Sequence, residues 1–166
     1  KGEVFQTVFR LVAGKWGQEV LDGIRADPDS YAPGEWYHYS AFCDILTAVK
    51  DAVGRSNPMI IYQLGFSTMK KDARWSELFQ TMNPADVFRS TERQDTQYRV
   101  GHYSAEAKGN KHIQVKMTLP DCRPEWCEFY RGRLQGVLEL TGRTGVVHLQ
   151  RETGSGGERI FDIKWG

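Results

Sequence analysis

The chain lacks an excess of charge of either sign: 22 Lys and Arg stand against 21 Asp and Glu, a formal net charge of +1. That balance excludes a nucleic-acid module, which normally carries a basic stripe. It also lacks any run of about 18 apolar residues, so no segment is predicted to span a membrane. Its first residues do not form the charged-then-apolar leader of a secreted protein. Cysteine is scarce, with only Cys43, Cys122 and Cys127. An odd, sparse set is no disulfide framework for a domain of this size, and a reducing, cytoplasmic setting is expected. A P-loop, G-x-G-x-x-G after a strand, H-E-x-x-H and G-x-S-x-G are all missing. The carboxylates Glu152 and Glu158 flank a hairpin instead of a cleft, and nothing poises a nucleophile, so no enzyme is expected.

What is present fits one domain spanning 1–166, with no linker long enough to divide it. The chain begins at Lys1 and ends on Gly166, which reads as a piece of a longer protein. A helical lobe is expected over about 1–95 and a sheet lobe over about 96–166. The opening "EVFQTVFRLV" fits a helical stripe and an extended run equally well, whereas Val20, Leu21 and Ile24 argue for a helix. Phe42, Ile45, Leu46, Val49 and Val53 recur at spacings of three and four, which predicts a helix over 37–53 closed by Gly54. Ser-Asn-Pro opens a second helix over 58–70. A short helix "WSELFQTMN" follows, and another restarts after Pro84, giving helical structure over about 75–92.

Tyr98, Val100, His102 and Ser104 alternate as in a strand over 97–107. A Gly109-Asn110 turn then leads into Ile113, Val115 and Met117. "PEWCEFYRGRLQGVLELTG" has helical spacing, and "GVVHLQRETGSGGERIFDIKWG" reads as a hairpin whose GSGG tip supplies positive φ. The fold class is therefore α+β: helices on one face of an antiparallel sheet of β-β-α-β-β order. The mixed charges around Lys70–Asp95 and the "RGR" at 131–133 read as solvated helix faces.

Two clusters invite chemistry. Cys122 and Cys127 have a spacing that zinc tolerates, but two further ligands are needed, and His112 and His148 are the candidates on offer. The plainer reading puts Cys127 on the buried side of a helix with Cys122 at its mouth, so no metal is expected. His38 lies among Trp36, Tyr37, Tyr39 and Phe42, where an imidazole suits a haem iron or a bound carboxylate. A hydrogen-bonded structural histidine is the simpler state.

Three segments carry a family resemblance that spans almost the whole chain. "KGEVFQTVFRLVAGKWGQEVLDGI", "MNPADVFRSTERQ" and "CEFYRGRLQGVLELTG…VVHLQRETGSGGERIFDIKW" resemble a bacterial sensor superfamily. It joins haem-based nitric-oxide/oxygen-binding (H-NOX) domains, the four-vinyl-reductase-type sensors and their haem-free myxobacterial relatives. The first segment looks like the start of such domains, where a short element leads into a helix, and the last like their closing helix and hairpin. The middle one resembles the helix that presents the proximal haem histidine, a position held here by Phe88. Phenylalanine has no lone pair for iron. The Tyr-x-Ser-x-Arg phrase that holds haem propionates is also missing: the strand reads "VKMTLPDCR", Arg123 is displaced, and Tyr103-Ser104 falls too early. The full cysteine set of the vinyl-reductase-type zinc sites is absent too.

The resemblance therefore implies a haem-free sensory or regulatory domain, without cofactor, that binds a small apolar ligand between helices and sheet. The expected lining is Phe42, Ile45, Ile61, Leu64, Phe66, Phe79, Val87, Phe88 and Met117. A neighbouring output domain or partner protein would read the signal. Two alternatives stand beside it. One is an interaction or homodimerisation module whose cavity has filled with side chains, and the other is a haem gas sensor using His38 or His102.

Overall fold

Amphipathic helices fill the first half of the chain and alternating strands the second. The structure, a computed structural model, describes residues 1–24, 26–70, 79–94, 101–119, 121–150 and 157–166. In order it gives α1 (Gly2–Trp16), α2 (Gln18–Gly23), a short 3₁₀ turn at Pro28–Ser30, α3 (Tyr39–Val53), α4 (Ile60–Lys70) and α5 (Pro84–Gln94). There follow β1 (His102–Gly109), β2 (His112–Thr118), α6 (Pro124–Leu140), β3 (Gly145–Leu149) and β4 (Glu158–Trp165). The ambiguous opening resolves as helix: α1 buries Val4, Phe5, Val8, Phe9 and Val12, a stripe of helical period. Two starts expected from the sequence are seen with their chemistry. His38 caps α3 by accepting from the Ser40 N–H at 3.3 Å, and Asn83 Oδ1 accepts from the Ala85 N–H at 2.9 Å ahead of Pro84. The expected short helix at 75–78, the strand start at 97–100, Glu152 and the hairpin tip at 154–156 lie outside the described residues.

The strands form one antiparallel sheet in the order β1-β2-β4-β3. Alternation decides its two faces. Ile113, Val115 and Met117 of β2, with Val147, Phe161 and Ile163, point into the core. The opposite face is polar: His112 Nε2 lies 2.6 Å from Asp162 Oδ1 and Gln114 donates to the same oxygen at 3.1 Å. At the far side of the sheet the buried Gln135 of α6 accepts from the Val147 N–H and donates to the Gly145 carbonyl, both at 3.1 Å.

α5 lies on β1 and β2 while α6 lies on β3, and the helical lobe reaches the sheet lobe chiefly through α6. The closest helix pair is α4 with α6. A Cβ on Gly65 would collide with the Phe129 carbonyl, and one on Gly132 with the Tyr62 carbonyl. Glycine at these two points lets the backbones approach more closely than side chains ordinarily allow. The "RGR" segment is thus not a solvated knob. Gly132 sits in this seam, and the Arg131 guanidinium lies 4.4 Å from the centre of the Tyr62 ring while pairing with Glu128 at 2.7 Å.

Candidate functional site

Eight of the nine expected lining residues fall in one continuous buried cluster: Phe42, Ile45, Ile61, Leu64, Phe79, Val87, Phe88 and Met117. They arrive from α3, α4, the helical residues just before the turn into α5, α5 itself and the inner face of β2. Phe88 is 1% exposed, on the helix that faces β1 and β2. Phe66 departs from the group. It sits half-buried against Tyr62, ring centroids 6.4 Å apart, with Lys70 Nζ 4.5 Å from its centre. The reason is helical phase: Leu64 and Gly65 take the inward side of α4, leaving the Phe66 ring to the flank.

Aromatic residues of α6, absent from the expected lining, complete the layer. The Phe42 ring meets Phe129 edge-on at 5.1 Å and Trp126 at 5.9 Å, and Trp126 Nε1 donates to Met117 Sδ at 3.3 Å. Their i, i+3 spacing on one helical face was visible in the sequence; that this face meets Phe42 was not.

The clasp between α3 and α6 is polar. The Arg123 N–H donates to Tyr39 Oη at 3.2 Å, the Arg123 guanidinium pairs with Asp44, and Lys50 meets Glu125 at 2.7 Å. Burial pushes the Tyr39 phenol well above its usual range. Burial of Glu125 acts to raise its carboxyl, but the Lys50 hydrogen bond and the backbone outweigh it and the net shift is downward.

All three cysteines converge beside this clasp. Cys122 Sγ is 2.7 Å from Cys127 Sγ, and Cys43 on α3 is near enough to Cys122 to act on its charge. Tyr39 hydrogen-bonds Cys43, whose thiol is pushed up to about 11, chiefly by burial. The Cys122 hydrogen bond and the Arg159 guanidinium stabilise the Cys127 thiolate, while the same pairing pushes the Cys122 thiol upward.

The zinc partners considered in the sequence do not come to the cysteines. His112 stands at the opposite end of β2 from Thr118, engaged with Asp162, and His148 lies across from Asp162 on the sheet. Among the described residues no group of three or more His, Cys, Asp or Glu is placed to hold a metal ion. No described helix is long and apolar enough to cross a membrane.

Helical lobe, four-stranded sheet and interposed α6 find close counterparts among solved structures. The H-NOX protein from K. algicida in its Fe(II) unliganded state superimposes with a TM-score of 0.76 at 17% identity, over 100% of this chain and 96% of that one. A point mutant of that protein gives the same TM-score at 18% identity. The chain has the fold of an H-NOX domain. The IWP-051-bound H-NOX from Shewanella woodyi, in its Fe(II)CO state, superimposes with a TM-score of 0.67 at 17% identity over 100% of this chain and 94% of that one. No protein-family model matches the sequence, and comparison with curated proteins gives no match.

An H-NOX fold raises the question of haem, and the histidines answer for the axial bond. His38 is an exposed helix cap, His102 is exposed at the start of β1, His148 is exposed on β3, and His112 is held by Asp162 on the polar sheet face. None of the four imidazoles enters the layer between helices and sheet, so these residues do not fit a histidine-anchored iron. Neither His38 nor His102, considered as non-standard ligands, points the fold toward one.

Proposed function

We propose that this chain is a non-enzymatic sensory or regulatory domain that works without haem. In this reading it takes a small apolar ligand into the layer between α3–α5, α6 and the sheet. The observation that carries it is the composition of that layer: Phe42, Phe88, Trp126, Phe129 and Met117 are buried together on an H-NOX fold with no imidazole among them. Such surroundings bind by shape and apolar area, with orientation left to a few polar groups. Within reach are the Trp126 N–H and the Tyr39 hydroxyl, both at the α3–α6 boundary. A ligand entering there would move the helical lobe relative to the sheet, since α3 and α4 meet the sheet lobe through α6. A neighbouring output domain or a partner protein would then read the displacement.

The test pairs two measurements on the protein purified from cells. Hemin titration is expected to leave the Soret region without a protein-bound band. A panel of fatty acids and small aromatics is expected to raise the melting temperature for at least one class, with the gain lost in Phe88→Trp, where added bulk fills the layer. A protein-bound haem band, or no stabilisation by any member, overturns the reading.

A second reading is favoured by the edge-on contacts of Phe42 with Trp126 and Phe129, which fill space a ligand would need. The domain would then act by docking a partner or a second copy. Sedimentation of the purified chain separates the two: a stable dimer unaffected by apolar ligands supports docking.

A further inference from the structure

We propose that Cys122 and Cys127 form a reversible thiol–disulfide site that reacts with hydroperoxides and acts on the α3–α6 clasp. Their sulfurs are 2.7 Å apart, so a shift of under about 1 Å brings them to the roughly 2.05 Å of a disulfide. The two cysteines differ in access: Cys122 is half-buried in the turn ahead of α6, whereas Cys127 is buried in its first turns. An inner-face cation stands beside them. Arg159 lies opposite Met117 in the sheet register, on the same inner face, and its guanidinium favours the Cys127 thiolate. A guanidinium there stabilises one shared negative charge on the pair. Cys43 stays out of the exchange, its thiol buried on α3 and engaged with Tyr39.

The chemistry balances with one hydroperoxide as oxidant. Cys122 is the sulfur an incoming peroxide meets, and its proton passes along the hydrogen bond to Cys127. The Cys122 sulfur attacks the terminal peroxide oxygen; the O–O bond breaks, an alcohol or water leaves after taking a proton from solvent, and a sulfenic acid remains. Cys127 then attacks the Cys122 sulfur, forming S–S and breaking S–O. Its proton leaves with the hydroxide as water. The pair loses two electrons and the peroxide gains them. A thiol reductant reverses the change.

The consequence follows from the position of Arg123 immediately after Cys122. Its N–H is held by Tyr39 and its guanidinium by Asp44, both on α3. Drawing Cys122 onto Cys127 turns the chain at Arg123 and alters the contact through which the helical lobe meets α6. This site is independent of whether an apolar ligand binds.

The experiment treats the reduced chain with a few equivalents of hydrogen peroxide, alkylates the remaining thiols and digests after Glu125, which separates the two cysteines. Two of the three thiols are expected to disappear, with Cys122 and Cys127 recovered as a linked peptide pair and Cys43 alkylated. In Cys127→Ser the sulfenic acid at Cys122 should persist long enough to be trapped by a dimedone probe, while Cys43→Ser should form the linked pair as before. Amide exchange at Arg123 and the start of α3 should change about tenfold on oxidation and return with dithiothreitol. Three intact thiols, oxidation confined to Cys43, or a linked pair with unchanged exchange at Arg123 each overturn the proposal.

Discussion

Asp162 shows how much a single residue draws from its neighbours across strands. Its burial acts to raise the carboxyl, but hydrogen bonds from His112 and Gln114, with the charges of His112 and Lys164, outweigh that and hold it below its usual value. A carboxylate whose folded pKa is depressed stabilises the fold fully above its unfolded value, and the contribution fades as pH falls through the folded one. Asp162→Asn should therefore lower the urea midpoint at pH 7, and the gap to the parent should close as pH drops below the ordinary value of 3.8. Equal gaps at pH 7 and in acid would show that the charge contributes nothing. The partners could not be paired from the sequence, because Asp162 lies 48 residues from Gln114 and 50 from His112. Phe88 is the opposite case: the family resemblance singled out its position before any contact was known, and the residue is 1% exposed.

At the level of elements the decisive object is α6. Its period announced a helix, and Trp126, Cys127, Phe129, Tyr130, Leu134, Val137 and Leu138 are buried along it. Burial on more than one side follows from its position between α4 and the sheet. The glycines that permit this are silent in a hydrophobicity pattern. Gly132→Ala should destabilise the protein by about 3 kcal/mol, because the new methyl meets the Tyr62 carbonyl, a backbone atom with nowhere to move. Gly142→Ala is the contrasting control, a positive-φ position at φ 72° with open space around it. Its cost is conformational, about 1 kcal/mol. Chemical denaturation of both variants checks the order, and equal losses would remove the close helix contact from the account.

For the whole molecule, α6 belongs to both lobes, so neither keeps its core without the other. We therefore expect one cooperative transition: the near-ultraviolet signal from buried Trp126, the far-ultraviolet helix signal and tryptophan fluorescence should share one midpoint. Two separated transitions would show that the lobes fold independently and that the 1–166 unit is two domains. The same architecture gives the proposed signal its route, because movement of α3 or α4 reaches the sheet through the clasp at Arg123 and the seam at Gly132. A histidine-held haem would need an imidazole in this layer, and each of the four histidines is placed outside it.

The sequence by itself determined the elements, the α+β class and the inward apolar stripes, because hydrophobic period and turn residues are local properties. It also supplied the resemblance that matched the H-NOX fold. It left open whether α1 was helix or strand, since both patterns fit until a neighbour selects the face that is buried. Only the tertiary structure turned Phe66 aside, drew Trp126 and Phe129 against Phe42, and brought Cys43 from α3 to the side of Cys122 and Cys127. Those outcomes depend on which faces meet, and the backbone approach at Gly65 and Gly132 decides that through contacts between segments the sequence order keeps far apart.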